Sequence, residues 1–189
     1  FFQIAKAIWQ KVPLNLTHDP TEVSPVKDGQ FPLHEAVKDK RIHDLRWIVR
    51  RGAKIDELDD DGRTPLWLAV KGAYLPMLQI LLELGASVNA AGPDGQTPWL
   101  KAFEYGHSEE LVSVLFKAGA KVDSVDKNGD TALHFAARRG NLSHIDFLLK
   151  HGAKIDLRNR SGCTPLQEAI KNKDSQKEYE KYLSKVKAR

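Results

Sequence analysis

Gly129-Asp130-Thr131-Ala132-Leu133-His134 is one of five copies of a single phrase in this chain. The others are Gly29-Gln30-Phe31-Pro32-Leu33-His34, Gly62-Arg63-Thr64-Pro65-Leu66-Trp67, Gly95-Gln96-Thr97-Pro98-Trp99-Leu100 and Gly162-Cys163-Thr164-Pro165-Leu166-Gln167. The leading glycines stand 33, 33, 34 and 33 residues apart, and a fixed period in this range marks stacked structural repeats. A second marker keeps the same phase. Gly-Ala recurs at Gly52-Ala53, Gly85-Ala86, Gly119-Ala120 and Gly152-Ala153, 23 or 24 residues after each leading glycine.

One unit, Thr131 to Ala153, shows why this period encodes a structure. Thr131 suits an N-cap, because its hydroxyl can accept from an amide that the first helical turn leaves unpaired. Leu133, Phe135, Ala136 and Ala137 then form the apolar stripe of a short helix ended by Gly140, and Ile145, Leu148 and Leu149 define a second helix ended by Gly152. A small residue recurs five positions after the cap, at Ala36, Ala69, Ala102, Ala136 and Ala169. It lets helices of adjoining units approach closely, so a large or charged replacement there is expected to be severe. A unit this short cannot bury its apolar face alone, and stability has to come from stacking.

These phrases, with the apolar-Asp/Asn pairs Ile55-Asp56, Val88-Asn89, Val122-Asp123 and Ile155-Asp156 that follow each Gly-Ala, resemble the ankyrin repeat family over about residues 28–174. The resemblance implies an all-α solenoid of about five stacked helix-turn-helix repeats with short β-hairpin loops. The repeats fall at about 28–60, 61–93, 94–127 and 128–160, with a degenerate last repeat at 161–174. Repeat three carries one extra residue between Gly106 and Val112, expected to lengthen the turn between its helices, while Lys40 and Ala73 replace the glycine that ends the first helix. Residues 1–27 read as a capping helix (Phe1, Ile4, Ala5, Ile8, Val12) and a connector with three prolines, with a docking peptide as the alternative. Residues 175–189 read as a charged capping helix. The chain opens on Phe1, which reads as a piece of something longer.

Composition narrows the function classes. No run of apolar residues is long enough to span a membrane, so a soluble chain without membrane insertion is expected. The single cysteine, Cys163, allows no internal disulfide and suits a reducing compartment, which points to the cytoplasm, with the nucleus also open. Net charge is +4, but residues 28–127 carry −3 and residues 128–189 carry +6. That asymmetry suggests a partner that is itself bipolar in charge. The basic end is interrupted by Glu178 and Glu180 and has no accompanying aromatic platform, which argues against nucleic acid.

No P-loop, nucleophile elbow or dinucleotide fingerprint occurs, and the histidines show no metal-ligand spacing with Cys163. No enzyme, cofactor or metal is expected. His34 and His134 hold the family position whose imidazole bonds backbone between repeats. Trp67, which replaces that histidine, reads as packed, and Trp99 reads as core.

The resemblance implies a protein or peptide partner, bound by hairpin tips and exposed first-helix positions on the concave face. Here those positions are Asp60, Asp61, Arg63 and Lys71 in repeat two, and Asp94, Gln96, Glu104 and Tyr105 in repeat three. Repeat four offers Lys127, Asn128, Asp130, Arg138 and Arg139, and repeat five Arg160 and Lys171. Tyr105 beside Arg138 and Arg139 is the expected hot spot, since Tyr and Arg are enriched there. Both arginines lie off the apolar stripe, so reversing their charges is expected to weaken binding and leave the fold intact. The reading is of a non-catalytic, monomeric interaction scaffold; the alternative is a regulatory or substrate-recruiting module of a larger enzyme, channel or secreted effector.

Overall fold

The computed structural model of the chain describes residues 31–171. The expected N-terminal cap over residues 1–27 and the C-terminal cap over 175–189 lie outside the described residues. Nine α-helices are present among the described residues, with no strand: α1 Pro32–Lys38, α2 Asp44–Arg50, α3 Pro65–Lys71, α4 Leu75–Glu83, α5 Pro98–Tyr105, α6 Glu109–Lys117, α7 Ala132–Arg139, α8 Leu142–Lys150 and α9 Pro165–Lys171. The expected hairpin loops are tight tips, each closed by backbone bonds such as Asp126 N to the Asp130 carbonyl at 3.1 Å and Gly129 N to the Asp126 carbonyl at 3.0 Å.

The repeated phrase sets where the first helices begin. Thr64, Thr97, Thr131 and Thr164 each accept an amide three residues on, at 3.1 to 3.4 Å, which satisfies one of the orphan donors of the first turn. Proline follows the cap in α1, α3 and α5, where its missing N–H costs nothing. At the other end, Gly106 and Gly140 turn the chain in the left-handed region. Lys40 and Ala73 hold the same turn at φ +58° and +52°, so the replaced glycine changes the strain and not the path. The extra residue of repeat three falls in the turn Gly106-His107-Ser108 ahead of α6.

The first helices α1, α3, α5, α7 and α9 pack side by side in chain order, and α2, α4, α6 and α8 back the first four. Ala36, Ala69, Ala102, Ala136 and Ala169 are all buried at these junctions. Trp99, Phe103, Leu111, Leu115, Ile145 and Leu148 fill the space between the two layers, with Trp99 edge-on to Phe103 at 4.8 Å. Among the described residues no helix is long and apolar enough to cross a membrane.

Candidate protein-interaction surface

The hairpin tips are shaped by one buried side chain each. Asp59, Asp126 and Asn159 hold equivalent positions, and each turns Oδ1 onto two backbone amides of its own tip: Asp61 and Arg63, Asn128 and Asp130, Ser161 and Cys163, at 2.8 to 3.1 Å. In the acidic run at 57–61 the middle carboxylate is therefore internal. Burial opposes ionisation of Asp59, but hydrogen bonds from Arg63 and its charge outweigh that and hold the carboxyl below its usual range. Arg63 is bound to both Asp59 and Asp61.

Repeat three departs from this scheme. Gly92 stands where the others carry Asp or Asn, and a Cβ there would come within 2.7 Å of Cδ1 of Trp67. Trp67 is buried and fills the place of the tip carboxylate. Its neighbours at the same position do what the resemblance implied: Nε2 of His34 donates to the Arg63 carbonyl at 2.7 Å, and Nε2 of His134 to that of Cys163 at 3.0 Å. The Trp67 indole N–H finds no such partner.

The tips of repeats three, four and five are joined. The Lys127 amide donates to the Asp94 carbonyl at 2.7 Å, the Arg160 amide donates to the Asn128 carbonyl at 2.8 Å, and Lys127 Nζ also pairs with Asp94 Oδ1 at 2.7 Å. The side chains along the tips change from Asp60 and Asp61 in repeat two, through Asp94, to Lys127 and Arg160. All five are exposed.

On the first-helix face the central group is Lys101, which the sequence reading passed over because it occupies the slot just before the buried alanine. Only 8% of it is exposed. Its ammonium donates to Glu104 Oε2 at 2.6 Å and Gln96 Oε1 at 3.0 Å, and lies 4.7 Å from the ring centroids of both Trp67 and Tyr105. Two aromatic faces and a carboxylate compensate its lost hydration. Tyr105 itself is 41% exposed at the end of α5. Lys71, exposed at the end of α3, lies 5.9 Å from the Trp67 ring.

Farther along, the structure separates two arginines that look alike in sequence. Arg138 donates to Asp130 Oδ2 at 2.8 Å and pairs with Glu168 at 3.5 Å. Asp130 is buried, not a surface contact, and also accepts from Asn159 Nδ2 at 2.7 Å. Burial opposes the charge of Glu168, but hydrogen bonds from Lys171 and Asn159 and the Arg138 charge hold its carboxyl down at about 2. Arg138 thus shares the buried acids with Lys171, and reversing its charge should cost stability instead of being neutral to the fold as expected. Arg139 is exposed and instead lies over Gly106, its NH1 donating to the Glu104 carbonyl at 3.1 Å. There it complements the negative end of α5.

The expected site residues therefore divide. Asp60, Asp61, Lys71, Asp94, Tyr105, Lys127, Asn128, Arg139, Arg160 and Lys171 are exposed, whereas Arg63, Gln96, Glu104 and Arg138 are half-buried in ion pairs or hydrogen bonds and Asp130 is buried. Asp59, Lys101, Asp126, Asn159 and Glu168, which shape this face from beneath, were not among them. A Thr or Pro punctuates each first helix visibly, but nothing local marks a charge whose partner lies one repeat away.

A family model described as ankyrin repeats (3 copies) matches residues 4–92 and 99–188. No curated protein matches the sequence significantly. With that match over nearly the whole length, and with stacked helix pairs joined by tight tips in the structure, this chain belongs to the ankyrin repeat family.

Proposed function

We propose that this chain is a non-catalytic binding module that receives a protein segment along its hairpin tips and first helices, with a basic part of the partner over repeat two and an acidic part over repeats four and five. Ankyrin repeats are in general protein–protein interaction modules. The observation that carries the finer reading is the row of tips, those of repeats three, four and five tied to one another by backbone hydrogen bonds, whose side chains change from Asp60 and Asp61 in repeat two to Lys127 and Arg160. A surface ordered before binding loses little entropy on docking, and a charge gradient along it sets the partner's direction. Tyr105 supplies an exposed aromatic at the far end of α5 on the first-helix face, its ring already held by Lys101.

Quantified capture with the wild-type chain as bait, repeated with variants, tests the surface. The retained species should fall at least tenfold, about 1.4 kcal/mol, with Tyr105→Ala plus Arg160→Glu, and persist with Lys150→Glu on α8. The reverse pattern would overturn the assignment.

A further inference from the structure

Two histidines sit where repeats two, three and four meet. His144, 1% exposed in the first turn of α8, donates from Nε2 to the His107 carbonyl at 2.8 Å and lies edge-on to Phe103 at 5.0 Å. His107, in the turn lengthened by the extra residue of repeat three, sets its ring against the Val70 backbone at the end of α3, which favours the charged form. An imidazole-to-backbone hydrogen bond thus ties repeat four to repeat three, with the second ring set against repeat two. Each ring keeps one nitrogen buried with no partner: Nε2 of His107 and Nδ1 of His144. That arrangement suits a neutral ring, whose bare nitrogen needs no acceptor. A protonated ring would carry a second N–H into a place with nothing to receive it, together with a charge in an apolar setting. His134 contrasts, because both its nitrogens are engaged, by Thr131 and by the Cys163 carbonyl.

We propose that His107 and His144 form an acid-sensitive latch in the repeat stack, closed while both rings are neutral and loosened on protonation, so that the junction of repeats three and four parts first as pH falls. The charged groups facing the pair are Arg139, from the end of α7, which opposes protonation of both rings, and Glu109, from the start of α6, which favours it at His144; His107 also opposes charge on His144. Burial pushes both imidazoles below their ordinary 6.5, against the backbone hydrogen bonds, which act in the opposite direction. The latch is therefore complete above pH 6.5, and its contribution is lost as pH falls through the lowered values.

The test compares wild type with His107→Asn plus His144→Gln, which keep a donor at Nδ1 and Nε2 respectively but do not titrate. Between about pH 7.5 and about pH 5 the wild-type melting temperature should fall by several degrees, roughly 3–6 °C, and the variant's by less than half as much. An equal fall in both overturns the latch. Ring-proton NMR of the wild type decides independently of whether the variant folds. Both rings should titrate below the ordinary imidazole value, and titration of either at or above it refutes the proposal.

Discussion

Gly92 and Trp67 act as one unit although they belong to different repeats. The indole occupies the space into which an Asp or Asn side chain at position 92 would project, the closest approach of an added Cβ being 2.7 Å. Restoring the tip carboxylate alone, Gly92→Asp, should overpack the site and cost roughly 1–3 kcal/mol. Trp67→His alone leaves unfilled volume around the ring and should cost a similar amount. Together they recreate the arrangement seen at His134 and Asn159, so the double variant should recover at least about 1 kcal/mol relative to the sum. A double-mutant cycle by urea unfolding reads this directly, and additive costs would show that the two positions are independent. Both replacements are legible as departures from the repeated phrase, but their compensation is not, because the 24 intervening residues carry no sign that the side chains meet.

At the scale of elements, α7 and α9 are joined by a charge cluster as well as by Ala136 and Ala169. Arg138 is 40% exposed at its side chain, while its partners Asp130 and Glu168 are each 7% exposed. Arg138→Glu would place a third carboxylate against two buried ones. Removing one partner of a fully buried pair costs about 3–5 kcal/mol, and the partial exposure of the arginine reduces this to roughly 2–3 kcal/mol. Arg139→Glu removes one hydrogen bond and a favourable charge at the end of α5, a loss of about 1 kcal/mol. Chemical denaturation of the two single variants should rank them in that order, and equal small losses would mean that the buried acids find other compensation. Adjacent arginines in one helix are indistinguishable by pattern. The helical turn of 100° between them sends one toward α9 and the other toward α5.

Across the whole stack, acid should act on Glu168 in a defined window. Its folded value of about 2 lies below the ordinary 4.5, so the folded state binds fewer protons between these limits. The associated stability is present above pH 4.5 and is lost as pH falls toward 2, about 3 kcal/mol in all. Urea unfolding of wild type against Glu168→Gln, followed over this range, should show the flatter profile in the variant; parallel profiles would count against the assignment. The repeat period, the helix starts at Thr and Pro, the buried alanines and the stacked all-helical architecture were all determined by sequence alone, because each depends on residues within one turn of a helix or one period of the chain. Which polar groups face a partner was decided only by tertiary structure. Asp59, Lys101, Asp130 and Glu168 look like surface charges in the sequence, yet all four are buried: Asp59 by Arg63 of its own tip, Lys101 between Glu104 and the Trp67 ring of the repeat before, Asp130 and Glu168 around Arg138 and Asn159 where repeat five packs on repeat four, and an ion held that way stabilises the stack from within instead of meeting a ligand.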